Sequence, residues 1–243
     1  MTKRATPPVV VVDAPKSFPA EAYRILRANL QYANPDAPLR RVLVTSAIPQ
    51  EGKSTTVANL GACLAQADRS VLLVDADLRK PVLHTLFRQS RIPGLSSYLA
   101  GNALFDAVQL KTAVPNLSLV PSGPVPPNPA ELLASRRMRE FLEAAQERYD
   151  LVILDSPPVL AVSDVCAVAP LVDGVLLVVR SGGAPRAVLR RAKEQLDAVH
   201  ARVVAAVLNR FDPAADGYSR RYYRRYDTYY GSRSRSRESS GPG

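Results

Sequence analysis

The stretch 41–56, RVLVTSAIPQEGKSTT, constrains this chain more tightly than any other. Residues 42–45 are apolar or β-branched, the composition of a buried strand. A short loop follows, and Gly52-Lys53-Ser54-Thr55-Thr56 opens a helix predicted to continue through Leu64. Strand, loop, Gly-Lys-Ser and helix in that order describe a phosphate-binding loop, whose backbone N–H groups converge on an anion. The helix N-terminus adds partial positive charge and Lys53 adds a full one. Ser54 is then placed to offer its hydroxyl to a Mg²⁺ that bridges the phosphates. One position departs from the general pattern: Ala47 stands where the first glycine belongs. The competing reading is a surface loop before a capped helix.

Further apolar runs follow at 71–74, 116–120, 151–154, 174–179 and 203–208. Between them lie helical patterns: short pieces over 82–111 (GLSSYLAG among them), a helix from Asn128 or Pro129 to about Arg148, then 164–168 and 185–199. Ahead of the first strand, AEAYRILRANLQYA has apolar residues at helical spacing. Strands that are apolar on both faces and alternate with helices predict an α/β fold of three layers, α/β/α. Its central sheet is mostly parallel and the fold is that of P-loop NTPases. One such domain is expected over 19–212, after a flexible N-terminus (1–18, disordered or strand-like at best) and before a disordered tail (213–243).

Chemistry is expected where strands end. The run at 71–74 leads into Asp75-Ala76-Asp77-Leu78-Arg79, and a strand beside the phosphate loop delivers such residues to the nucleotide crevice. Asp75 and Asp77, two residues apart, suit metal ligation through water and proton abstraction from an attacking hydroxyl. Alternatively they are helix N-cap acids. Asp155 ends the apolar run at 151–154 and is expected to hold Mg²⁺ through its water shell. Asn209, followed by Arg210, ends the last one, where an amide can hydrogen-bond a purine edge. His84 and His200 lack metal-ligand spacing, and Cys63 and Cys166 lie in apolar surroundings, as core thiols of a reducing cytoplasm do. No run of about 18 uncharged apolar residues occurs, so no membrane span is expected.

The net charge of +10 is uneven: from Gly217 onward seven Arg face one Asp and one Glu, a net of +5. The same stretch holds six of the ten tyrosines, Tyr218, Tyr222, Tyr223, Tyr226, Tyr229 and Tyr230. Arg with interleaved aromatics binds single-stranded nucleic acid, or an anionic membrane, or else presents tyrosines as substrates. Reach permits the last. The 18 residues from Asp212 to Tyr230 span at most about 60 Å extended and average roughly 23 Å as a coil. On α-helical spacing alone, Glu21, Arg24 and Arg27 form a charged stripe, by default a solvated one.

These segments together resemble the bacterial tyrosine kinases (BY-kinases) of capsule and exopolysaccharide operons. VLLVDADLR is similar to that family's Walker A′ pattern and VILDSPP to its Walker B pattern. EAYRILR fits its Glu-x-x-Arg-x-x-Arg oligomerisation motif, PPNPAELL and GLSSYLAG resemble further segments, and the tail resembles its tyrosine cluster. The Walker A stretch by itself is shared with partition and septum-site ATPases. The resemblance implies an ATP- and Mg²⁺-dependent autokinase regulating capsule or exopolysaccharide synthesis and export. Residues 50–56 (Gln50, Glu51, Gly52, Lys53, Ser54, Thr55, Thr56) would then cradle the nucleotide together with Asn209 and Arg210, with Lys53 on the β- and γ-phosphates and Thr55 on the α-phosphate. Ser54, Asp75 and Asp155 would support the metal, and Asp77 would accept the tyrosine proton. The six tail tyrosines would be the phosphoacceptors, modified by a neighbour in a homo-oligomeric ring whose interface includes Glu21, Arg24 and Arg27.

The implied partners are a membrane-anchored activator of the polysaccharide co-polymerase type and a protein-tyrosine phosphatase. They would act on a cytoplasmic protein recruited to the inner face of the membrane; no nucleic-acid partner is implied. Two residues depart from family patterns. Gln50 replaces a usual glycine and costs about 1 kcal/mol if its φ is positive. Ile48 stands where partition ATPases carry a signature lysine. The alternative function is that of a partition-type ATPase whose basic tail binds nucleic acid or membrane.

Overall fold

A computed structural model describes residues 9–32 and 38–211. The tail tyrosines and residues 1–8 lie outside the described residues. The chain up to Asn209 forms one compact unit, and Arg210 begins a second.

In chain order the elements are α1 (Val10–Asp13), α2 (Phe18–Tyr32), β1 (Arg41–Ser46), α3 (Lys53–Ala65), β2 (Val71–Asp75), α4 (Leu83–Leu86), α5 (Leu95–Leu99) and α6 (Phe105–Val108). Then come β3 (Leu110–Lys111), β4 (Leu117–Val120), α7 (Pro129–Leu133), α8 (Arg136–Arg148), β5 (Leu151–Asp155), α9 (Asp164–Val168), β6 (Gly174–Arg180), α10 (Arg186–Ala198) and β7 (Val203–Asn209). Among the described residues these strands form one seven-stranded sheet in the order β3-β4-β2-β5-β1-β6-β7. Every pairing is parallel except β3 with β4.

The period-2 alternation of each strand sends its side chains to two separate cores. Leu43, Leu72, Val74, Val152, Leu154 and Val175 face a layer built by α5 to α8 and α10. Val42, Val44, Leu73, Ile153, Leu176 and Val178 face α2 and α3. That division is the three-layer α/β/α fold expected from the apolar runs.

Four details differ from the sequence reading. The β2 strand does not adjoin β1: β5 lies between them, in register with both, so that Val44 and Asp75 each pair with Asp155. Within the expected flexible N-terminus, Val10–Asp13 makes a helical turn with Val9 and Val11 buried; the Val11 N–H donates to Asn59 Oδ1 at 3.2 Å. The helix expected from 129 to 148 breaks at Ser135, which is extended (φ −69°, ψ 160°). The break has a packing reason. Leu133 and Met138 are both buried in one core, yet five residues apart on a continuous helix they would diverge by about 140°. Restarting at Arg136 aligns Met138, Phe141, Leu142 and Ala145 as one i, i+3, i+4, i+7 stripe. Finally, β3 is two residues long, too short to leave an alternation in the sequence.

Among the described residues no helix is long and apolar enough to cross a membrane. Cys63 is buried and Cys166 only partly so; neither is in a disulfide.

Phe141 anchors the first of the two cores, edge-on to Tyr98 with centroids 5.3 Å apart and tilted against Phe105 at the same separation. Phe141→Ala is expected to destabilise the domain by about 3–5 kcal/mol. Urea unfolding should show a lower midpoint with an unchanged slope.

Candidate active site

At the C-terminal edge of the sheet β1, β5 and β2 end side by side, and the loop after β1 curls over them. Hydrogen bonds pin the strand ends together. Val159 N–H donates to Ser46 O (2.8 Å), Ala76 N–H to Asp155 O (2.8 Å), and the Ser156 and Thr45 hydroxyls to Val44 O and Pro157 O (2.9 Å each).

The loop's shape depends on two left-handed residues. Gln50 has φ 65°, the conformation in which a side chain carries strain. Gly52, at φ 95°, caps α3, and a Cβ there would lie 1.9 Å from Asn209 Nδ2, so only glycine fits. Ala47, in place of the pattern's first glycine, is fully buried in the core. Lys53 and Ser54 follow as the first turn of α3, and Thr56 Oγ1 donates to Gly52 O at 2.9 Å.

Glu51 braces the loop. It is buried, and its Oε2 accepts the Arg180 N–H at 2.6 Å, while its carbonyl accepts Asn209 Nδ2 at 2.8 Å. The ends of β6 and β7 thereby hold the loop from one side. Asn209, expected at a purine, is placed beside the loop by this bond. Arg210 is exposed with φ 52° and belongs to the second unit.

Three carboxylates lie on the other side. Asp75 and Asp155 are level on adjacent strands and both buried. Asp75 Oδ2 accepts the N–H groups of Val82 (3.1 Å) and Leu83 (3.0 Å), which caps α4, but its Oδ1 is buried without a partner. Neither Asp155 oxygen has a hydrogen bond of ordinary length. Burial, and then the Asp155 charge, raise Asp75 well above the usual carboxylate range. Burial pushes Asp155 up to about 7 even though Lys53 and the Ser54 hydroxyl nearby pull it down. Asp77 lies just past the strand, and its Oδ1 accepts the N–H groups of Arg79 (3.3 Å) and Lys80 (2.9 Å).

Orphaned anionic oxygens beside a phosphate loop fit a hydrated divalent cation. The described residues hold no cluster of three His, Cys, Asp or Glu side chains that could cage a metal. Mg²⁺ needs none, because it keeps several waters and takes one or two carboxylates plus substrate phosphates.

Comparison with known proteins decides what this arrangement belongs to. The AAA domain family matches residues 50–184. Tyrosine-protein kinase YwqD of Bacillus subtilis (strain 168) is 41% identical over 201 residues, which are 83% of this chain and 85% of YwqD. This chain is a member of the bacterial tyrosine kinase family. Among solved structures, the kinase domain of the Escherichia coli tyrosine kinase ETK superposes with a TM-score of 0.81 at 38% identity, covering 86% of this chain and 82% of that one. The chimerical protein CapA2B2 does so with a TM-score of 0.81 at 34% identity, covering 87% and 92%. The septum site-determining protein MinD of Pyrococcus horikoshii, at 23% identity and a TM-score of 0.61, shares the fold.

In this bacterial tyrosine kinase α2 packs against the nucleotide helix α3, and the Tyr23 hydroxyl, its pKa raised by burial, meets Thr56. The stripe expected at a subunit interface makes contacts within the chain. Arg24 pairs with Glu21 (2.7 Å) and donates to Pro15 O (2.6 Å), and Arg27 Nη1 donates to Cys63 O at 3.0 Å, in the last turn of α3. Sequence reasoning missed the Glu51–Arg180 brace and a pairing of Arg79 with Asp164. Both join residues from distant elements, and no local period marks them.

Because Asp155 titrates higher folded than unfolded, its contribution favours the ligand-free fold at acidic pH and is lost as pH rises from about 4 to about 7. Asp155→Asn should therefore raise the melting temperature of the ligand-free kinase at pH 8, with the gain shrinking toward pH 4. At Gln50, substitution by Gly is expected to add about 0.5–1 kcal/mol of stability by relieving the positive φ, read as a shift in denaturant midpoint.

Proposed function

We propose that this tyrosine kinase transfers the terminal phosphoryl group of ATP to its own C-terminal tyrosines, Tyr218, Tyr222, Tyr223, Tyr226, Tyr229 and Tyr230. The observation that carries the reading is the buried, unpartnered Asp155 carboxylate beside Lys53 and Ser54. Bound Mg²⁺ would neutralise charge building on the β- and γ-phosphates, held by Ser54, Asp155 and Asp75. Lys53 stabilises the same phosphates, residues 50–56 enclose them, and Asn209 flanks the base. Asp77 commits Oδ1 to two backbone N–H groups, which orients Oδ2 to receive the tyrosine proton. Phosphoryl transfer asks mainly for positioning and electrostatic stabilisation, and these residues supply both.

The acceptor tail belongs to a neighbouring copy in a ring, reached within the coil length of the tail. Glu21, Arg24 and Arg27 lie on the face that meets the neighbour, about a third exposed at Glu21 and Arg24. Six phosphotyrosines add roughly −9 to −12 against the +5 of the tail, which reverses its sign and releases it. The match to the chimerical protein CapA2B2 supports an activator partner; in this reading the activator is membrane-anchored and brings the kinase to the inner face of the cell membrane. The output is control of capsule or exopolysaccharide synthesis and export, reset by a protein-tyrosine phosphatase.

Incubation with ATP and Mg²⁺, together with an activator fragment, should place phosphate on the tail tyrosines, mapped by mass spectrometry. Lys53→Met and Asp77→Ala should abolish it. ATP hydrolysis with no phosphotyrosine, plus salt-sensitive polyanion binding that survives Tyr→Phe changes in the tail, would instead establish the partition-type ATPase reading.

A further inference from the structure

The turn that carries Asp77 is held from outside the nucleotide site. Arg79, whose backbone N–H is bound to Asp77 Oδ1, turns its guanidinium toward Asp164. Its Nε donates to Asp164 Oδ2 and its Nη2 to Asp164 Oδ1, both at 2.9 Å. Asp164 is the first residue of α9, in the segment that follows Asp155, and its side chain has no solvent exposure, while that of Arg79 is 42% exposed. An exposed ion pair of ordinary geometry does little. This one differs because the acid is wholly out of water and both its oxygens are taken by a planar fork, which fixes distance and angle together.

We infer that Asp164 is a positioning residue for phosphoryl transfer. Through Arg79 it ties the 77–80 turn after β2 to the segment after β5, so that the proton acceptor Asp77 and the metal-side carboxylate Asp155 keep one fixed separation. The chain of contacts is continuous: Asp77 Oδ1 to the Arg79 N–H, the Arg79 guanidinium to Asp164, and Asp164 along the backbone to Asp155. The inference rests on the reading of Asp77 as proton acceptor. It adds a residue that touches neither nucleotide nor tyrosine.

Asp164→Asn tests it, since the side chain keeps its size but turns an amide NH₂ toward a guanidinium that can only donate. Assayed on the full chain with ATP, Mg²⁺ and a tyrosine peptide, kcat should fall about a hundredfold, the scale of a misplacement near 1 Å. KM for ATP and the affinity for fluorescent ADP should stay at parent values. Arg79→Lys keeps a cation opposite Asp164 without the fork and should give an intermediate loss. The double variant should be no slower than Asp164→Asn alone. Should Asp164→Asn fail to fold, Arg79→Lys carries the same test, because its ammonium still neutralises the buried acid. A lowered melting temperature with parental kcat in the folded variants, alongside an inactive Asp77→Ala, overturns the inference alone. Full activity in Asp77→Ala overturns the reading of Asp77 and the inference with it.

Discussion

The physical constraint on which the rest of this structure depends is the burial of two like-charged carboxylates, level on adjacent parallel strands. Asp75 and Asp155 sit in register at the ends of β2 and β5, removed from water, with oxygens that have no partner. Alone, that arrangement is unfavourable: desolvation and mutual repulsion both oppose ionisation. Lys53 at the start of α3 offsets it in part. The sheet order explains how the acids meet, because β5 inserts between β1 and β2 and its carboxylate sits at the centre of the strand-end row.

Rigidity around that charge cluster is distributed. The loop is braced on one side by Glu51, bound to the β6 end through Arg180 and to the β7 end through Asn209. On the other side the Val82 and Leu83 N–H groups converge on Asp75 at the end of β2, and those of Arg79 and Lys80 on Asp77 just past it. Asp75 thus caps a helix, as the structural alternative in the sequence suggested, and also keeps one buried oxygen without a partner. Capping occupies only one of the two carboxylate oxygens, which leaves the other for the metal of the proposed function.

Much of the fold was legible because it rests on local signals. Apolar four-residue runs, each ending in Asp, mark β2 and β5, and Gly-Lys-Ser after an apolar strand marks both the loop and the start of α3. The acids at strand ends could be named for the same reason. The order of strands was not legible, since nothing in a run of valines and leucines says that the fifth strand slides between the first and second. The break at Ser135 escaped notice because Ala134 and Arg136 are ordinary helix formers, and only the shared burial of Leu133 and Met138 requires it. Gln50 was identifiable as a departure from a pattern, whereas its left-handed backbone is a property of the folded loop.

One contact links the two ends of the nucleotide helix to different tasks. The Arg27 guanidinium satisfies the Cys63 carbonyl, one of the acceptors that every helix leaves open at its last turn. The opposite end of α3 begins with Lys53. Without Arg27 the Cys63 carbonyl would have only water to turn to, at the end of α3 opposite the phosphate loop. Two side chains of α2, Tyr23 and Arg27, thus meet α3 at its first and its last turn, so the outer helix spans the whole length of the inner one.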